Sequence, residues 1–186
     1  MTVEVLMVCT GNLHRSPLAE RLAASRSRVA ETEVHFSSCG THAPEGLAMD
    51  AAAAMALRQL GGDPAGHIAR LLTGPMVEQA ALVLTATSEQ RDLVARKRPA
   101  ARVKCFTLKE FVRLGADVAP AAGPDDVGRL IREVAAQREP FGSAASGRDQ
   151  IADPHGANLS ETLRCALEIG VAVDGVLNLL GIHEIR

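Results

Sequence analysis

The sequence predicts an α/β fold in three layers, α/β/α, built on a four-stranded parallel sheet, and three observations carry that prediction. Four short apolar runs, each of strand length, are spread along the first 106 of the 186 residues. Stretches with helical spacing separate them, the alternation expected when consecutive strands lie parallel. The first run, Val3-Glu4-Val5-Leu6-Met7-Val8, passes through a tight glycine-bearing loop directly into a helix start at Pro17.

The elements follow in chain order. The first helix carries Leu18-Ala19-Glu20-Arg21-Leu22-Ala23-Ala24, with Pro17 in its first turn, where a missing N–H removes no helical bond. Residues 34–38 form the second strand and end at the turn Cys39-Gly40-Thr41. Residues 47–60 are alanine-rich and apolar at helical spacing, and Gly61-Gly62-Asp63-Pro64 stops them. Residues 80–85 are the third strand, too apolar to be exposed. A helix over 88–96 follows, with Ser88 as its cap and the basic Arg96-Lys97-Arg98 favoured by the dipole at its end. Residues 102–106 are the fourth strand and lead into Leu108-Lys109-Glu110-Phe111. A closing helix, capped by Asn158 or Ser160, presents Leu163, Ala166, Leu167, Val171 and, past Gly170, Val176 and Leu177 as a packing stripe.

Length and composition narrow the function classes. A chain of 186 residues suits one core and is short for two, so a single domain over 1–186 is expected. The formal charge of -2 gives no sign of a nucleic-acid partner. No apolar run reaches membrane-spanning length, and Met1-Thr2-Val3-Glu4 lacks a basic leader, so a cytoplasmic protein without a membrane partner is expected. Cys9, Cys39, Cys105 and Cys165 are widely separated, without metal-ligand spacing or a disulfide pattern. Neither a metal nor a cofactor is expected, and no feature sets an oligomeric state.

The loop Val8-Cys9-Thr10-Gly11-Asn12-Leu13-His14-Arg15-Ser16-Pro17 carries the chemistry. Backbone N–H groups bent round Gly11, together with a helix N-terminus, converge on an oxyanion, and phosphate is the natural guest. Arg15, six residues after Cys9, can grip two phosphoryl oxygens with its planar fork, which a lysine does less well. The same field favours the thiolate of Cys9, the form that attacks. Ser16 is placed to donate to that thiolate or to ease its departure. The spacing therefore supports a covalent cysteinyl-phosphate route without metal. It differs from the ATP-binding loop, whose longer glycine-rich run ends in Lys-Ser/Thr. The alternative reading makes Cys9 a core cysteine and Arg15 a surface residue at a helix start.

The run resembles the phosphate-binding loop of the low-molecular-weight protein tyrosine phosphatases, matching at Cys9, Gly11, Asn12, Arg15, Ser16 and Pro17. The likeness continues through Leu18-Ala19-Glu20, Ser38-Cys39-Gly40-Thr41, His67-Ile68-Ala69-Arg70 and Asp153-Pro154, over most of the chain in order. The resemblance implies that Cys9 is the nucleophile, Arg15 the phosphate clamp and Asp153 the general acid. It places Thr10, Gly11, Asn12, Leu13, His14, Ser16, Ser38 and His67 in the phosphate site or its support. Thr41, His42 and His155 become candidates for the wall around the substrate. The implied activity is hydrolysis of phosphotyrosine in proteins, with a phosphorylated protein as partner.

Departures from the family pattern refine this. The family usually has an aromatic residue where His155 stands, and the chain contains neither tyrosine nor tryptophan. Many members carry a second cysteine where His14 stands, so Cys9 is expected to lack a neighbour that traps its oxidised form. Residues 113–151 read as an insertion: Pro120-Ala121-Ala122-Gly123-Pro124, a helix over 125–137, then turn-forming residues 139–148 leading to the acid. It narrows access, reads part of a protein substrate, or is a tolerated surface loop. A related branch acts on phosphoarginine and has threonine where Leu13 stands. Leu13 favours the aryl ester, whereas Thr10 matches that branch. Arsenate reductase, which needs relay cysteines, and a non-catalytic phosphate-binding module complete the alternatives.

Overall fold

The computed structural model describes residues 2–27, 33–138 and 147–182. Its sheet holds β1 (Val3–Cys9), β2 (Val34–Gly40), β3 (Leu82–Thr85) and β4 (Cys105–Thr107), all parallel and in the order β2-β1-β3-β4. The helices are α1 (Arg15–Ser27), α2 (Ala51–Gln59), α3 (Gly74–Gln79), α4 (Ser88–Lys97), α5 (Leu108–Leu114), α6 (Val127–Ala136) and α7 (Leu159–Leu179). The expected α/β/α architecture on a four-stranded parallel sheet is the one found.

Alternation along β1 explains the layers. Val3, Val5, Met7 and Cys9 point into the larger core, shared with Leu18 and Leu22 of α1, Ala53 and Leu57 of α2 and Ile169 and Val173 of α7. Leu6 and Val8 point the other way, onto Val77 of α3 and Val94 of α4. A parallel sheet covered on both faces needs apolar residues at consecutive positions, and β1 supplies them. β1 lies between β2 and β3, so the chain leaves it in one direction and returns on the other side. The switch point opens at the carboxyl ends of β1 and β3, where sheets of this kind hold ligands.

Several boundaries differ from those predicted, each for a local reason. β2 runs to Gly40 rather than residue 38, because Gly40 still pairs with Cys9 and bridges Leu71. The helix predicted over 47–60 starts only at Ala51, since the Asp50 carboxylate accepts the N–H groups of Ala52 and Ala53 as its cap. α3, which the sequence reading missed, is a six-residue helix begun by Gly74-Pro75, and it delays β3 to Leu82. Thr87, not Ser88, caps α4 in a reciprocal box with Gln90. Residues 102–104 belong to a 3₁₀ turn begun by Pro99, so β4 is confined to three residues from Cys105.

The predicted helix over 125–137 shortens to α6, entered by a 3₁₀ turn at Pro124–Asp126. Asn158 caps α7 with Glu161 as its reciprocal partner, and the helix continues past Gly170. Leu167 and Val171, expected in the packing stripe, face solvent instead. Of the turn-rich stretch 139–148, residues 139–146 lie outside the described residues. No helix among the described residues is long and apolar enough to cross a membrane.

Phe106 joins β4 to the helices on its face. It is fully buried, meets Phe111 edge-on at 5.2 Å, and has the Arg138 guanidinium 3.9 Å above its ring centre. Phe106→Ala is expected to lower stability by about 3–5 kcal/mol, measured by urea unfolding.

Candidate active site

The loop that joins β1 to α1 folds around the sulfur of Cys9. Asn12 is its pivot: φ of 54° puts it in the left-handed region, which asparagine tolerates better than most residues. The bend expected at Gly11 therefore falls one residue later. That conformation turns the Asn12 N–H onto Cys9 Sγ at 3.2 Å, and Ser16 Oγ lies 3.0 Å from the same sulfur. Cys9, Asn12, Arg15 and Ser16 are all buried. Ser16 and Pro17 sit in the first turn of α1, so the helix N-terminus faces the loop.

The support comes from the strand and loops beside it. Asn12 Nδ2 donates to Ser38 Oγ at 2.8 Å and to Ser16 Oγ at 3.0 Å, while Asn12 Oδ1 accepts the Arg70 N–H. His67 Nε2 donates to the Asn12 carbonyl at 2.8 Å, so the predicted brace histidine does touch the loop. Ser38 Oγ donates a hydrogen bond to Glu20 Oε2, and Arg70 Nε donates to the Ser38 carbonyl. Thr10 is exposed, and its hydroxyl accepts from Gln90 Nε2 of α4 at 3.0 Å.

Sequence reasoning missed Arg70, Glu20, Gln90 and Gly40 as parts of this site. Arg70 and Glu20 stood inside the matched segments without an assigned role. Gly40 had a stronger signal as a glycine at the end of a strand: a Cβ there would stand 2.5 Å from the Thr10 carbonyl oxygen and 2.9 Å from the Asn12 nitrogen.

Arg15 crosses from this loop to the one bearing Asp153. Its Nη1 donates to the Ile151 carbonyl at 3.1 Å, and its Nη2 is paired with the Asp153 carboxylate. Its Nε is buried without a hydrogen-bond partner among the described residues. A buried guanidinium N–H left open on the same loop as the Asn12 N–H that meets Cys9 Sγ fits one more oxygen acceptor, as a phosphoryl group supplies. Asp153 is half exposed, and its other oxygen accepts the His155 N–H in a tight turn.

The remaining candidates lie at the rim. The N–H groups of Thr41 and His42 donate to the carbonyls of Cys9 and Thr10, both at 2.9 Å, which sets 41–42 along the loop. Thr41 is buried, and its hydroxyl lies 3.0 Å from His42 Nδ1. Leu13 is half-buried, and its carbonyl accepts the Asp50 N–H. His14 lies 3.3 Å from Asp50 Oδ1 and meets His155 edge-on, with ring centres 5.8 Å apart. No group of three or more His, Cys, Asp or Glu among the described residues is arranged to hold a metal ion.

Burial pushes His14 below its ordinary value of 6.5, outweighing the upward pull of Asp50 and Asp153. The unfolded chain then takes up this proton at a higher pH than the folded protein does, so stability falls as pH drops below 6.5. His14→Gln is expected to flatten this part of the decline in thermal midpoint between pH 7 and pH 5, measured by calorimetry at both pH values.

With this geometry established, comparison with known proteins places the chain. Residues 4–124 match the family described as low molecular weight phosphotyrosine protein phosphatase. A protein-arginine-phosphatase of Geobacillus stearothermophilus is 36% identical over 135 residues, 72% of this chain and 88% of that protein. A low molecular weight protein-tyrosine-phosphatase of Acinetobacter johnsonii is 32% identical over 104 residues, 56% of this chain and 70% of that protein. Among solved structures, the low molecular weight protein tyrosine phosphatase of T. tengcongensis superposes with a TM-score of 0.72 at 26% identity, over 95% of this chain and 99% of that one. The chain is a member of the low molecular weight phosphotyrosine protein phosphatase family.

Proposed function

We propose that the protein hydrolyses phosphotyrosine in proteins through a cysteinyl-phosphate intermediate, as one domain over 1–186 with 113–151 as an insertion beside the site. The observation that carries this reading is the buried Arg15 Nε, open to an acceptor on the loop that surrounds Cys9. The phosphoryl oxygens take up the loop N–H groups and the Arg15 fork. Cys9 Sγ attacks phosphorus in line, an S–P bond forms, and the P–O bond to the tyrosyl oxygen breaks. The departing oxygen takes the electron pair and receives the proton of the Asp153 carboxyl. Water then attacks the cysteinyl phosphorus and gives a proton to Asp153, releasing phosphate and the Cys9 thiolate. Ser16 Oγ, 3.0 Å from the sulfur, stabilises that leaving thiolate.

The pairing of Arg15 with Asp153 has a place in this sequence. Phosphoryl oxygens compete for the guanidinium, and binding them frees the Asp153 carboxylate, which takes up a proton from solvent and then faces the leaving group as the acid. Asn12, Ser38 and His67 hold the loop, while Thr41, His42, His14 and His155 border the substrate. A second reading, hydrolysis of phosphoarginine, is favoured by the proteins named protein-arginine-phosphatase from Geobacillus stearothermophilus and Bacillus subtilis. It also suits a rim without tyrosine or tryptophan.

Phosphate release from a phosphotyrosine peptide without added metal tests the first reading. Cys9→Ala is expected to abolish turnover and Asp153→Ala to lower it by about 10²–10⁴-fold. Turnover of a phosphoarginine peptide alone by the intact, reduced protein would select the second reading. Turnover of neither would overturn both.

The cysteine layout generates a separate expectation. Cys39 pairs beside Val8 and faces the α3–α4 side of the sheet with Cys105, opposite to Cys9. Burial pushes Cys39 and Cys105 up to about 12 and Cys165 up to about 11, so all three stay protonated at neutral pH. Peroxide is therefore expected to inactivate the protein without an intramolecular disulfide at Cys9. Peptide mapping after oxidation checks this, and a bridge from Cys9 to any of the three would contradict it. The same layout offers no thiol relay of the kind an arsenate reductase requires.

A further inference from the structure

The Asp153 carboxyl is half exposed, so packing of its own side chain does not set its position. The segment ahead of it does. Asp149 is the first buried residue of the described stretch 147–153, and Arg113, from the last turn of α5, grips it with both arms. Arg113 Nε donates to Oδ1 at 3.0 Å and Nη2 to Oδ2 at 2.8 Å. The Asp149 carbonyl accepts the Thr107 hydroxyl at 2.9 Å, at the junction of β4 and α5. Gln150 is locked to Ser88 in both directions, and the Ile151 N–H donates to the Ala86 carbonyl. Ile151 then hands its own carbonyl to Arg15. The acid is thus held to the catalytic loop by a chain of contacts that starts at the Arg113 fork.

The two partners of that fork stand in different surroundings. Arg113 is exposed for 39% of its side chain and Asp149 for 7%. Losing the arginine would leave the carboxylate buried without the fork, and a buried charge deprived of its partner moves toward water. Motion of Asp149 outward draws on the three residues, 150–152, that connect it to Asp153. A misplacement of this order on a proton donor slows protonation of the leaving group far more than it affects phosphate binding.

Resting on the phosphatase reading above, we propose that Arg113 is a positioning residue for the acid step, fixing Asp149 so that Asp153 reaches the leaving-group oxygen. Its signature is dependence on the leaving group, because an oxygen that departs readily as an anion needs no proton. The experiment compares kcat/KM for an activated nitrophenyl phosphate with that for a phosphotyrosine peptide, in the intact protein and in Asp153→Ala, Arg113→Ala, Arg113→Lys and Asp149→Asn. Arg113→Ala is expected to lose about tenfold on the peptide and less than about twofold on the nitrophenyl ester, with Arg113→Lys recovering part of the loss. On an Asp153→Ala background, Arg113→Ala should cost nothing more. Asp149→Asn should repeat the pattern, and it carries the test where Arg113→Ala does not fold.

Equal losses on both substrates, or none, would overturn the proposal, since a residue needed only for stability affects both alike. Asp153→Ala separates the levels of failure. If it discriminates between the two substrates and Arg113→Ala does not, the positioning role fails and the phosphatase reading stands. If Asp153→Ala itself shows no discrimination, the acid assignment fails and the role of Arg113 falls with it.

Discussion

Asn12 uses its backbone and side chain in five contacts inside the protein, and the loop between β1 and α1 has its shape because of them. Its N–H meets the Cys9 sulfur, its carbonyl accepts from His67, its amide nitrogen serves Ser16 and Ser38, and its amide oxygen takes the Arg70 N–H. A left-handed residue costs free energy that only a surrounding network offsets, and here the network comes from β2, α1 and the 67–70 segment together. The loop is therefore preorganised before any ligand arrives. Donors already fixed in a buried site do not have to reorganise as charge develops.

The sheet order makes a second loop available to this one. β3 lies beside β1 on the side away from β2, so the turn after β3 opens next to the loop after β1. Ala86 of that turn accepts the Ile151 N–H and donates its own to the Val8 carbonyl. Gln90, in the first turn of α4, completes the junction by accepting from Ala86 and Thr87 and donating to Thr10. The segment bearing Asp153, more than 130 residues from Cys9 in sequence, is delivered across this junction, with Arg15 tying it to the loop.

What the sequence disclosed followed how local each constraint is. Cys9, Asn12, Arg15, Ser16 and Pro17 lie within nine residues, and a strand followed by a helix start leaves little freedom in where they point. The four strands were legible from apolar runs, but their ends depended on neighbours: Gly40 stays in β2 because Cys9 pairs with it, and Pro99 starts a turn that delays β4. Arg70, Glu20 and Gln90 stayed hidden because surface-type residues give no signal until folding brings them to a buried partner. The Asp149 pairing was illegible for the same reason, since nothing in a stretch rich in turn formers marks one carboxylate as buried. Val171 erred the other way, an apolar residue left on the outer face of α7.

The rim bears on the choice of substrate more directly than the loop does. A phosphate cradle treats any monoester or phosphoramidate alike, so discrimination falls to the side chains that meet the leaving group. The positions proposed for that contact hold histidines in place of large aromatics, with His155 edge-on to His14 and His14 beside Asp50. An imidazole has less face to offer a phenyl ring than an indole or phenol. Burial holds His14 neutral, which spares the mouth one fixed positive charge while Asp50 and Asp153 remain close by. A neutral ring flanked by carboxylates tolerates both an aryl group and a cationic guanidinium. The phosphotyrosine reading thus leans on Leu13, and the phosphoarginine reading on the carboxylates, which is why paired peptides differing only in the phosphorylated side chain give the informative comparison.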